Sequence, residues 1–285
     1  MGLPKKIFLV LGILAIGGLV IFLTQQPELV STSFFLSPLS KDRSPSPKLF
    51  DANEFVLDLK NYLSTQSGTW GVAITPLTDN RQLTTDNSFG LNLKKQFPAA
   101  SVMKVLVAAN LIHRADKNEF SLTKEVEENS LQDLMRGMIN WTDNQAWEIL
   151  NHFLGFENLQ KFGEDLGMKN FNVYENTISP SDVNLLLASI YQNKVASAGY
   201  CQLLLSLMQD TETEDRIPTE IPKNIKVYHK AGTWLETGTY SDAGIIEAKN
   251  PFILTVLSEN VPYQTQAIET IKTVTRKVFL TLTNQ

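Results

Sequence analysis

Apolar residues recur at helical spacing through the middle of the chain and at strand spacing on either side of it. Residues 49–63 carry Phe50, Phe55, Val56, Leu59 and Leu63 on one stripe, which predicts a first amphipathic helix. Residues 68–74 then read as a strand, 76–81 as a turn and 82–85 as a partner strand. Phe97 and Pro98 lead into Ala99-Ala100-Ser101-Val102-Met103-Lys104 and an apolar run through Leu111 and Ile112, which predicts a buried helix opened by the proline, with Ser101 in its first turn. Asp116-Lys117-Asn118 turns the chain. Further helices are expected over 130–139, 144–153, 158–166, 181–191 and 201–208, with Leu131, Leu134, Met135 and Met138 as packing residues of the first of these. A polar loop over 211–224, holding Pro218 and Pro222, returns the chain to strands at 226–230, 239–247 and 252–258. Residues 264–278 fit a closing helix with Ala267, Ile268, Ile271, Val274 and Val278 inward.

Strands at both ends and helices between them predict an α/β (α+β) architecture. An antiparallel sheet is assembled from both ends of the domain, flanked by helices and joined to a helical lobe. The 285 residues suffice for one such domain after the amino-terminal segments.

Charge and rare residues narrow the chemistry. A formal charge of -5 argues against a general nucleic-acid binder. His113, His152 and His229 are scattered without ligand spacing, so no zinc centre is expected, and Cys201, the sole cysteine, reads as core filling. No metal or organic cofactor is implied, and a monomer is expected. Lys5 and Lys6 precede an uncharged run over 7–24 that is long enough to cross a bilayer as a helix. This predicts a signal anchor, or a cleaved signal peptide, with the bulk of the chain exported: a membrane-anchored protein with its catalytic domain on the extracytoplasmic, periplasmic side, or one secreted to the periplasm. Residues 25–48, with Ser44-Pro45-Ser46-Pro47, read as a Pro/Ser-rich linker, so the folded domain is expected over 49–285.

Three short stretches carry candidate chemistry. One helical turn separates Ser101 from Lys104; a lysine in a dry site loses its proton more easily and can then accept one from a serine hydroxyl, while the first-turn N–H groups could stabilise developing negative charge. Thr142-Asp143-Asn144 lies between two helical patterns. Asp143 or Thr142 can cap the second helix; alternatively Thr142 offers a hydroxyl for proton relay and Asn144 an amide for a substrate carbonyl or for Lys104. Lys230-Ala231-Gly232-Thr233 ends a strand, where an ammonium and a hydroxyl could hold a carboxylate and the Thr233 N–H could complete an oxyanion hole with that of Ser101.

In this order the motifs resemble the Ser-x-x-Lys, Ser-Asp-Asn and Lys-Thr-Gly signature of the class A beta-lactamase family, within the penicillin-recognising serine acyltransferases. Ser101-Val102-Met103-Lys104 is intact, threonine replaces serine in Thr142-Asp143-Asn144, and alanine replaces threonine in Lys230-Ala231-Gly232. The resemblance extends from about residue 49 to the carboxyl terminus and implies the beta-lactamase/transpeptidase-like fold. It also implies a mechanism in which Ser101 forms an acyl-enzyme with a beta-lactam or a peptidoglycan stem peptide. Lys104 would be general base or electrostatic partner, Thr142 would pass a proton to the leaving nitrogen, Lys230 with Thr233 would bind the carboxylate, and Asn144 would position the acyl side chain. Family members that hydrolyse beta-lactams rapidly carry a Glu-x-x-Leu-Asn loop whose glutamate activates the deacylating water. Residues 166–180 lack it; Glu175 is the only acid there and reads as a surface carboxylate. Three expectations follow: a beta-lactamase-like hydrolase first, then a membrane-anchored penicillin-binding D,D-peptidase acting slowly on stem peptides, then a catalytically silent envelope-binding domain.

Overall fold

The computed structural model describes residues 51–77 and 88–283. The chain divides into Met1–Lys48 and a compact unit, Leu49–Gln285. The larger unit begins with α1 (Ala52–Leu63), β1 (Thr69–Pro76), β2 (Phe89–Leu91) and β3 (Phe97–Pro98). A 3-10 turn over Ala100–Met103 leads into α2 (Lys104–Asp116), followed by the small hairpin β4 (Glu125–Val126) and β5 (Asn129–Ser130), then α3 (Leu131–Asn140), α4 (Asn144–Leu154) and α5 (Phe156–Asp165). β6 (Phe171–Asn172), β7 (Thr177–Ile178), α6 (Pro180–Tyr191) and α7 (Ala198–Leu207) precede β8 (Val227–Trp234), β9 (Thr239–Ile246), β10 (Phe252–Glu259) and α8 (Gln264–Thr283).

Local chemistry sets several of these boundaries. Asp51, Ser130, Asp143 and Ser179 each accept backbone N–H bonds at the start of α1, α3, α4 and α6, supplying acceptors that the first turn of a helix lacks. Pro180 follows Ser179 at the first position of α6, where a missing N–H costs nothing.

The main sheet is antiparallel in the order β2-β1-β10-β9-β8. Leu59 and Leu63 of α1 and Ala267, Ile271, Val274 and Val278 of α8 pack on one face against Val72, Ile74, Leu254 and Val256. On the other face Ala243, Ile245, Ile253 and Leu257 join a core built by α2 to α7. This is the expected arrangement of a sheet drawn from both ends of the domain, flanked by helices, beside a helical lobe. Because both faces are covered, every residue of β9 is buried, and the strands read as apolar or small runs instead of alternating. α2 is the axis of the lobe, buried without interruption from Lys104 to Ile112.

The Phe97 ring and Pro180 close over residue 71 of β1 because it is glycine: a Cβ there would come within 2.5 Å of the ring and 2.8 Å of the proline. Gly71→Ala is expected to cost about 1–3 kcal/mol, the scale of overpacking. The measurement is the urea midpoint at unchanged slope; an unmoved midpoint would mean that the Phe97 contact yields freely.

The membrane expectation is corrected here. A spanning helix needs roughly 20 predominantly apolar residues, and among the described residues no helix is long and apolar enough to cross a membrane. α8 has 20 residues but carries Glu269, Lys272, Arg276 and Lys277. The run over 7–24 on which the signal anchor rested lies outside the described residues, as does the Pro/Ser-rich stretch. Membrane anchorage, and the extracytoplasmic localisation drawn from it, are therefore withdrawn. The strand expected at 82–85 also falls outside the described residues; the described partner of β1 on that side is β2.

Candidate active site

Ser101 sits in the 3-10 turn ahead of α2, one residue after Ala100, whose φ of 48° places a side-chain-bearing residue in the left-handed region. Such a backbone costs about 1–3 kcal/mol and persists where its surroundings enforce it. Here the enforcing element is β8. A Cβ at Gly232 would lie 3.0 Å from the Ala99 carbonyl and 3.2 Å from the Ser101 N, so glycine lets the strand come up against the serine turn.

Lys104, 1% exposed, points across the lobe to the start of α4. Its Nζ donates to the Thr142 carbonyl at 2.9 Å and to Asn144 Oδ1 at 2.7 Å, with a longer contact to the Asp143 carbonyl at 3.4 Å. Burial lowers its pKa to about 8, partly opposed by the Asp143 carboxylate. Ser101 Oγ has no hydrogen-bond partner among the described residues, so the expected serine–lysine pair is a matter of shared location and not of a formed bond.

The α3–α4 junction is held tightly: the Gly137 carbonyl accepts the N–H groups of Trp141 and Asp143, while the Asn140 amide donates to the carbonyls of Leu207 and Gln209. Asp143 caps α4, accepting from Gln145 N at 2.8 Å. Thr142, between them, has a φ of 58°, an outlier for a β-branched residue. Its strained backbone sends its carbonyl to Lys104 and its hydroxyl to Lys230, whose Nζ donates to Thr142 Oγ1 at 2.7 Å and to the Ile139 carbonyl at 2.8 Å. Burial, and next the charge of Lys104, bring Lys230 down to about 7. Since Thr142 Oγ1 accepts from Lys230, its own proton is available to another acceptor.

A cleft of about 370 Å³ collects these groups. Ser101, Lys104, Asn144 and Thr233 line it, together with Trp147, Tyr174 and Trp234; Thr142 and Lys230 stand behind it through the bonds just given. Glu175 reaches its edge and is exposed, in keeping with a surface carboxylate. Ala231, in place of a hydroxyl residue, pairs with Asp242 on β9, and its side chain is buried. Among the described residues there is no group of His, Cys, Asp or Glu side chains that could hold a metal ion.

Arg216 belongs to this neighbourhood and carried no sequence signal. It is 1% exposed, and its guanidinium donates to Thr233 Oγ1 at 2.6 Å, to the Gly232 carbonyl at 2.7 Å and to the Ser241 carbonyl at 2.5 Å. A positive charge thus abuts the end of β8 that faces the cleft.

Comparison with known proteins places the geometry in a family. The sequence profile of the "Beta-lactamase enzyme family" matches residues 54–282. Beta-lactamase VEB-1 of Pseudomonas aeruginosa is 24% identical over 242 residues, covering 70% of this chain and 79% of that protein. Two solved structures share the fold: that of PBP-A, with a TM-score of 0.73 and 19% identity over 81% of this chain and 97% of the other, and that of a beta-lactamase from Sphaerobacter thermophilus DSM 20745, with a TM-score of 0.71 and 21% identity over 81% and 97%. A match that runs through nearly the whole compact unit, together with the shared fold, leads to one conclusion: this chain belongs to the beta-lactamase enzyme family.

Proposed function

We propose that the unit Leu49–Gln285 is a serine hydrolase of beta-lactamase type that forms an acyl-enzyme through Ser101. The observation that carries this is the bridge made by Thr142, which joins the two buried lysines through its carbonyl and its hydroxyl behind the cleft. In this reading Ser101 Oγ attacks the amide carbon of a beta-lactam, and neutral Lys104 takes the hydroxyl proton. Thr142 passes its proton to the leaving nitrogen and recovers one from Lys230. Lys230, Thr233 and Arg216 form a cationic end for the substrate carboxylate, and the Asn144 NH₂, free of the Lys104 contact made by its oxygen, positions the acyl side chain. The names of the relatives, beta-lactamases and PBP-A, agree with this class of substrate.

A second reading, a penicillin-binding D,D-peptidase slow to release its acyl group, is favoured by one observation. The connection from α5 to α6 has no Glu-x-x-Leu-Asn segment, and its one acid, Glu175, is exposed. Intact-protein mass spectrometry after mixing with benzylpenicillin separates the two. A short-lived adduct supports the hydrolase, a persistent adduct the slow peptidase, and no adduct at any time sinks both.

Thr142→Val keeps the side-chain volume and removes the hydroxyl; acylation is expected to fall about 10²-fold, the lower end for loss of a proton-transfer group. Thr142→Ser should stay within several-fold of the parent, since the hydroxyl remains. Equal rates for all three proteins in stopped-flow labelling would remove Thr142 from the relay.

A further inference from the structure

The proposed chemistry leaves a buried histidine unused. His229 precedes Lys230 on β8 but faces the opposite side of the sheet, is fully buried, and is clasped at both ring nitrogens. Nδ1 meets Asp242 Oδ1 of β9 at 2.9 Å; Nε2 meets Glu214 Oε1 at 2.9 Å and Thr211 Oγ1 at 3.2 Å. Room for the ring comes from the residue opposite: His229 pairs with Gly244, where a Cβ would lie 2.8 Å from that of His229. Asp242, also fully buried, uses its second oxygen to accept the N–H of Ile217 at 3.0 Å. The loop is therefore fastened at 211, 214 and 217. Arg216 lies within that span, and its guanidinium reaches Thr233.

We propose that His229 is a positioning residue: bridging Asp242 and Glu214, it pins the loop over 211–217 to the face of β8 and β9 and so fixes the Arg216 guanidinium at the carboxylate end of the cleft. The ring must carry both protons to serve two carboxylates. Burial alone would lower its pKa, but Asp242 and Glu214 outweigh burial and raise it to about 9, so the pin is closed at neutral pH. The two carboxylates are held low in return, each against its own burial. A structural histidine that merely filled space would need neither acid.

The inference about catalysis rests on the proposed acyl-enzyme reading; the pin itself does not. Glu214 is the informative position, because its side chain is 42% exposed and its loss spares the core, whereas His229→Asn alters a fully buried site. Full-length parent, Glu214→Ala, Glu214→Gln and His229→Asn proteins are acylated with benzylpenicillin and with its methyl ester. For the free acid, Glu214→Ala and His229→Asn are expected to raise the half-saturating concentration about tenfold, the scale of a lost charged hydrogen bond, with the limiting rate kept within about twofold. The methyl ester, which has no carboxylate for Arg216, should be acylated as by the parent, and Glu214→Gln, which keeps an acceptor, should recover part of the loss. An equal loss for acid and ester, or none for either, overturns the positioning role. Amide hydrogen exchange without any beta-lactam gives an independent reading: the Ile217 N–H should exchange faster in Glu214→Ala, and unchanged protection overturns the pin. If the parent is not acylated at all, the proposed function fails and the exchange result still decides this inference.

Discussion

Ser101→Ala is expected to abolish covalent labelling by penicillins, with loss on the order of 10⁶-fold, the scale on which removal of a serine nucleophile acts. The fold should be untouched. Ser101 Oγ has no hydrogen-bond partner among the described residues, so its removal strands nothing, and a stability change within about 0.5 kcal/mol is expected. An intact adduct on the alanine protein would sink the assignment of Ser101 as nucleophile.

Lys104→Arg has the second largest expected effect and also decides how the lysine works. Arginine keeps a positive charge and hydrogen-bond donors beside Thr142 and Asn144 but cannot give up a proton in a protein. If Lys104 is the base, acylation should fall about 10²- to 10⁴-fold, and if it is only an electrostatic partner, most of the rate should survive. A thermal melt monitors the strain of the larger side chain. The pH dependence of the parent has a definite sign. With a pKa of about 8, roughly one Lys104 in ten is neutral at pH 7, while Lys230, which returns a proton to Thr142, must stay charged, so the limiting acylation rate should rise from pH 6, pass through a maximum between about 7 and 8 and fall above it. Lys230, at about 7, loses its charge over an overlapping range, so the free acid should also bind less tightly as the pH rises. The two lysines share Thr142, and the profile will report the pair instead of either alone. A limiting rate that does not rise between pH 6 and 7 would contradict the base.

The helical lobe was legible in the sequence because its signal is local. The stripe of Leu131, Leu134, Met135 and Met138 and the cap at Asp143 fix helix type and the start of α4 from neighbouring residues alone. Strand ends were less legible because partners set them. The expected strand at 226–230 becomes Val227–Trp234, since β9 supplies pairing partners from Ile246 through to Thr239 and carries β8 across Ala231 and Gly232. β3, β6 and β7 are two residues each, too short for any period to show. The serine lies in a 3-10 turn and not in the first turn of α2, because the close approach of β8 at Gly232 bends the backbone at Ala100. Of the residues that the motifs singled out, Ser101, Lys104, Asn144 and Thr233 line one cleft, and Thr142 and Lys230 are bonded to each other behind it. Arg216 and the Glu214–His229–Asp242 chain escaped notice because each contact joins a loop to a strand or two strands, leaving no spacing pattern.

The pairing of β1 with β10, Thr69 opposite Glu259, governs when the sheet can close. β10 is the centre of the sheet, so a growing chain holds the serine turn and all of α2 long before the strand that orders the sheet behind them exists. The helices of the lobe can form early from local contacts, but the sheet behind the serine turn cannot be complete until β9 and β10 have been made and β1 has closed on them. Synthesis from the amino terminus therefore leaves Ser101 without its strand until β8, β9 and β10 have been made, and the cleft around it cannot be complete before then.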